Sequence, residues 1–142
     1  MTADLALRVV GPGVDSVVGP VVGAPASGDA GRGPVLPAAA EFAVLLDPAF
    51  VGFAGHFPGA PVLPAMCHVD LAVRAASLAA GATLELVEIE RARFTRRVGP
   101  GEEMTIRVRF GSETGGTRTV KADHRVGGEA AARMSLRLVV RA

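Results

Sequence analysis

The sequence predicts an α+β domain in which an antiparallel sheet curls around one central helix. Three observations carry that expectation: an alanine-rich segment has apolar residues at helical spacing, several later segments alternate with a period of two, and Gly-rich turns separate those segments.

Taken in order, residues 5–10 and 14–22 read as short strands, but GPG, GP and GAPASGDAGRGP between and after them read as loop. Residues 1–37 are therefore expected to be a poorly defined N-terminal segment ending in a mobile Gly/Pro-rich linker over 23–37, with the main domain over 38–142. EFAVLLD, residues 41–47, predicts a buried strand stopped by Pro48. Pro64 suits the first turn of a helix, Met66, Val69 and Val73 recur at helical spacing, and Gly81 fits as its stop. The many alanines make that helix slender, so a sheet can wrap it closely. Residues 83–98 predict a long strand, and the break in alternation at Leu86 and Val87 predicts a bulge. Met104, Ile106, Val108 and Phe110 alternate with polar residues, as do Val120, Ala122, His124 and Val126, and then Leu136, Leu138 and Val140.

Composition narrows the function. With 142 residues and 49% apolar, the chain has enough material for one core. A net charge of +1 and 4% aromatics argue against nucleic acid as a partner, since phosphate neutralisation and base stacking both lack their residues. The one cysteine, Cys67, has no partner for an internal disulfide, and no Cys/His group has metal-site spacing, so no metal is expected. No secretory pattern opens the sequence and no apolar run would span a membrane, so the expected location is the cytoplasm.

The stretch GHFPGAPVLP, residues 55–64, sets His56 in a Gly/Pro loop directly before the helix that carries Asp70. With that acid fourteen residues beyond His56, the segment resembles the active-site segment of the hot-dog-fold 3-hydroxyacyl-acyl-carrier-protein dehydratases of fatty-acid and polyketide synthesis. The resemblance covers roughly residues 41–142 and includes ARFTRRVGPGEEMTIRV, residues 92–108. It implies that His56 is the base that removes a proton from C2 of the acyl chain and that Asp70 is the acid that protonates the departing C3 hydroxyl. It also implies a substrate carried on the phosphopantetheine of an acyl carrier protein, no cofactor of the protein's own, and a dimer sharing His56 and Asp70 between chains. That dimer is expected to be of identical chains, with a heterodimer of homologous subunits as the other arrangement.

The same likeness places Phe57, Gly59, Pro64, Ala65, Met66 and Arg74 along the substrate. Ala65 stands where the family usually has Gly, and Arg74 where it often has Gln. Backbone N–H groups at Ala65 and Met66 are expected to face the developing thioester oxyanion from the helix start. A general acid at position 70 needs an apolar setting to hold its proton, whereas Arg74 one turn on is spaced for an ion pair. Two other functions fit the same fold: an acyl thioesterase, and a weakly active subunit paired with an active homologue.

Nearby residues have plainer readings. His68 lies two positions from Asp70, on nearly the opposite helix face, and reads as structural or interfacial. Cys67 reads as core packing, and His124 as a satisfied sheet histidine. Arg91, Arg93, Arg96 and Arg97 form a basic run that serves either as a solvated edge discouraging strand pairing or, through Arg93, Arg96 and Arg97, as a dock for an acidic carrier protein.

Overall fold

A computed structural model describes residues 7–11, 14–18, 39–48 and 62–141. Its elements are β1 (Leu7–Gly11), β2 (Val14–Val18), β3 (Ala39–Leu45), α1 (Ala65–Ala80), β4 (Leu84–Phe94), β5 (Glu103–Thr114), β6 (Thr117–Val126) and β7 (Glu129–Val140). The strands form one antiparallel sheet in the order β2-β1-β3-β5-β6-β7-β4. α1 packs against β3, β4, β5 and β7, as the sequence predicts for a sheet folded about a central helix.

Alternation decides which face of the sheet meets α1. Met104, Ile106, Val108, Val120, Ala122, Leu136 and Leu138 are all buried and point inward, while the residues between them face out. Ala72, Ala75 and Ala76 are fully buried on the helix, and their small side chains let the sheet approach. Pro64 is the N-cap, and Gly81 closes the helix at φ 69°, a left-handed conformation that suits glycine, with its N–H bonding back to Ser77 and Leu78. The β5–β6 hairpin turns on Gly115 and Gly116, both at positive φ, in the manner of a tight two-residue turn.

The bulge expected near Leu86 and Val87 is present: the β4–β7 register shifts between Leu86 and Glu88, and again between Ile89 and Arg91. β4 ends at Phe94 rather than running to residue 98, because the Thr95 and Arg96 N–H groups both turn to the Ala131 carbonyl. The short strands expected over 5–10 and 14–22 are present as β1 and β2. β1 pairs with β3, and Leu7 is fully buried in the common core, so the sheet continues across the expected division at residue 38. The expected linker over 23–37 lies outside the described residues.

Candidate functional site

His56, Phe57 and Gly59 lie outside the described residues, which resume at Val62. From there the chain is pinned: the Leu63 N–H donates to the Val98 carbonyl at 2.7 Å, holding the entry to α1 against the loop after β4. Pro64 follows in an extended conformation, and its carbonyl accepts from the Cys67 and His68 N–H groups. Among the described residues nothing accepts from the N–H groups of Ala65 and Met66, the first-turn donors that every helix leaves open.

The helix sorts its side chains by face. Met66 and Asp70 are exposed and Arg74 is half-buried, whereas Cys67, His68 and Leu71 turn into the core. Within one chain Asp70 thus lacks the apolar setting expected of a general acid. The Asp70 charge does act on Arg74: burial pulls the guanidinium below its ordinary value, and Asp70 pushes it back up. Cys67 packs in the core as expected, and burial, followed by the Asp70 charge, raises its thiol and disfavours the thiolate.

His68 and His124 form a contact that spacing could not foretell, since it joins α1 to β6. Their Nδ1 atoms lie 2.9 Å apart, both rings are buried, and Phe94 packs on His68 with ring centres 5.4 Å apart. Burial holds His68 down to about 4 and His124 down to about 3, the latter aided by repulsion from His68, so both rings are neutral at pH 7. His124 is only partly satisfied, because its Nε2 is buried with no partner among the described residues. The possible signal in the sequence was a histidine at an inward position of β6 together with one on the buried face of α1.

A cleft of about 350 Å³ opens beside the first turn of α1, lined by Val62, Leu63, Ala65, His68, Phe94 and the 95–97 loop. Arg96 braces that loop through Glu102 at 2.9 Å and Glu129 at 3.0 Å, and Glu102 also accepts from the Gly99 N–H. The Arg96 bond and then the Gly99 bond hold the Glu102 carboxyl below its usual range. Arg93, Arg96 and Arg97 sit in different settings: Arg96 and Arg97 line the cleft, with Arg96 also engaged in ion pairs within the chain, and Arg93 faces a groove on the outer side of the sheet.

That outer groove, about 380 Å³, gathers Arg91, Arg93, Arg109, Lys121 and Arg133 around Asp123. Arg93 stands opposite Arg133 across β4–β7, and Arg109 opposite Lys121 across β5–β6. Like charges directly opposite one another weaken a sheet, and Asp123, 3.5 Å from Arg133, offsets part of that cost.

An antiparallel sheet folded around one alanine-rich helix defines the hot-dog class. Within that class the chain belongs to the ApeI-like dehydratases, whose family model, described as ApeI dehydratase, matches residues 35–130. A 3-hydroxyacyl-[acyl-carrier-protein] dehydratase FabZ from Sodalis glossinidius is 36% identical over 93 residues, 59% of this chain and 62% of the relative. The FabZ of Pelotomaculum thermopropionicum is 33% identical over 96 residues, 63% of this chain and 69% of the relative. The chain thus spans under two thirds of the Sodalis protein's length. Among solved structures, the dehydratase heterocomplex ApeI:P from Xenorhabdus doucetiae shares the fold, with a TM-score of 0.59, 24% identity and coverage of 72% of this chain and 88% of that one. A hypothetical thioesterase from Streptococcus pneumoniae has a TM-score of 0.60 at 7% identity, covering 75% of this chain and 81% of that one. Likeness at such low identity speaks for the fold only.

Proposed function

We propose that the chain dehydrates a 3-hydroxyacyl thioester borne on an acyl carrier protein, giving the trans-2-enoyl thioester in bacterial fatty-acid or polyketide synthesis. The observation that carries this reading is Asp70, displayed on the exposed face of the helix that directly follows GHFPG, in a chain of the dehydratase family. His56 removes a proton from C2, the electron pair left behind forms the C2=C3 bond, and the C3–O bond breaks as Asp70 protonates the departing hydroxyl to water. The Ala65 and Met66 N–H groups at the helix start, which have no acceptor among the described residues, stabilise negative charge on the thioester oxygen. The reaction is redox-neutral and needs no metal or redox cofactor beyond the carrier's own phosphopantetheine.

A dimer completes the site. β4 is an outer strand of the sheet and exposes Leu86, Val87, Ile89 and Phe94, while Met66 is 62% exposed on the neighbouring helix. An unpaired apolar edge of this kind favours pairing with another chain. Association through β4 would cover it and give Asp70 the apolar surroundings that a single chain lacks. A homodimer is the simpler arrangement, and the dehydratase heterocomplex of Xenorhabdus doucetiae offers a precedent for pairing with a different subunit. The outer groove around Arg93 supplies positive charge for docking an acidic carrier. Among the described residues no helix is long and apolar enough to cross a membrane, and the reading places the protein in the cytoplasm.

Incubating the purified chain with a 3-hydroxyacyl carrier protein and following the mass of the acyl group tests the reading: loss of one water supports it, and an unchanged mass refutes it. A saturated acyl carrier protein run alongside reports the thioesterase alternative, which alone would release the free thiol.

A further inference from the structure

The buried histidine pair lies next to the cleft but outside the acid–base chemistry. One hydrogen must lie between the two Nδ1 atoms, 2.9 Å apart, so exactly which ring donates fixes both tautomers. If His68 donated, His124 would carry its own hydrogen on Nε2, sealed in the core with nothing to accept it. If His124 donates, its Nε2 is only an unfilled lone pair, and buried orphan acceptors are tolerated more readily than orphan donors. His124 is therefore the donor, and neutral His68 carries its remaining hydrogen on Nε2. Unlike His124, His68 lines the cleft beside Ala65. Phe94, tilted 51° to the ring, fixes its attitude.

We propose that His68 is a ligand-binding residue whose Nε2–H donates to a carbonyl oxygen of the acyl-thioester substrate in this cleft, with His124 as the positioning residue that sets its tautomer. The inference rests on the dehydratase reading for the identity of the ligand. An uncharged donor suits a neutral carbonyl, and because the ring is buried it takes part without changing its protonation. His68 would share the substrate with the helix N–H groups of Ala65 and Met66, which open at the same turn.

The test combines nuclear magnetic resonance with kinetics. In uniformly ¹⁵N-labelled protein at pH 7, long-range ¹H–¹⁵N correlation should show His124 protonated at Nδ1 and His68 at Nε2; the reverse pair, or an imidazolium at either ring, overturns the proposal. Addition of N-acetyl-N′-(3-hydroxyhexanoyl)ethylenediamine, a stable amide counterpart of a short thioester, should shift the His68 Nε2–H signal. With the 3-hydroxyhexanoyl thioester of N-acetylcysteamine, His68→Leu should lower kcat/KM about tenfold or more, the scale of one lost neutral hydrogen bond, and His68→Gln, which keeps an N–H at similar reach, should stay within about threefold of wild type. A wild-type chain that dehydrates while the signal stays unmoved, or a folded His68→Leu of full activity, refutes the donor role and leaves the dehydratase reading standing. A signal that moves in a chain without dehydratase activity supports the donor and refutes that reading instead.

Discussion

His68 on α1 and His124 on β6 meet Nδ1 to Nδ1 at 2.9 Å inside the core, 56 residues apart in sequence. A hydrogen bond between two imidazoles exists only while one of the facing nitrogens is bare, so the contact that ties helix to sheet is lost once both rings are protonated, and burial resists the first proton as well. Water is excluded from the pair, since His124 is wholly buried and His68 almost so.

Acid should therefore loosen this fold before it reaches most carboxylates. Unfolded histidines titrate near 6.5, whereas the folded rings are held to about 4 and about 3. Below about 6.5 the unfolded chain binds more protons than the folded one, so the pair's contribution is complete above that pH and is lost as pH falls toward the folded values. For His68 the shift from 6.5 to about 4 corresponds to on the order of 3 kcal/mol. Urea unfolding midpoints should fall between pH 6.5 and 5, and the double variant His68→Leu/His124→Leu should lose that slope. A wild-type midpoint flat across the window would refute the account.

The helix, its two ends, the β4 bulge and the inward rows of β5 to β7 were legible in the sequence because each follows from local chemistry: Pro64 and Gly81 as punctuation, and alternation as burial. The family was legible because GHFPG with Asp70 is a compact motif. What escaped were relations between distant segments. His68 and His124 each look ordinary on their own element, and only the sheet order brings them together. Arg93, Arg96 and Arg97 look like one basic patch in sequence, but β4 ends at Phe94, the chain turns, and Arg93 parts from Arg96 and Arg97. The exposure of Asp70 likewise belongs to one chain considered by itself, and nothing local in the sequence separates a residue facing water from one facing a partner.

Asp70→Asn should lower dehydration at least about a hundredfold, the usual scale for a positioned acid, because the amide cannot supply the proton. Its thermal midpoint should match wild type, since Asp70 is exposed and carries none of the core. His56→Ala should lose activity to a similar extent. Circular dichroism melts beside turnover with a carrier-bound substrate check both, and near-normal turnover by either folded variant would remove that residue from the chemistry.

The basic residues divide into two groups with different expected behaviour. Arg93→Glu with Arg109→Glu should raise KM for carrier-bound substrate and reduce its salt sensitivity, while leaving a short N-acetylcysteamine thioester almost unaffected. Arg96→Ala, which removes the brace to Glu102 and Glu129, should act on both substrates alike by releasing the loop beside the cleft. Equal effects of the Arg93/Arg109 change on the two substrates would argue that the outer groove serves the fold and not the carrier.

The exposed edge of β4 leads to the most demanding expectation, because it concerns two chains at once. If His56 of one chain works with Asp70 of the other across a homodimer, then His56→Ala and Asp70→Asn homodimers are each inactive. A mixed dimer has one site built from the intact His56 of one chain and the intact Asp70 of its partner, and a second site with both residues missing. With random exchange half the dimers are mixed, and each has one good site of two, so an equal mixture should recover roughly a quarter of wild-type activity. Co-refolding the two variants and assaying the mixture measures this, and different affinity tags on the two chains establish that exchange has taken place. Activity that returns to that level places the two residues in different chains. An exchanged mixture that stays inactive means that both groups act from one chain, or that the working partner of this protein is a different subunit.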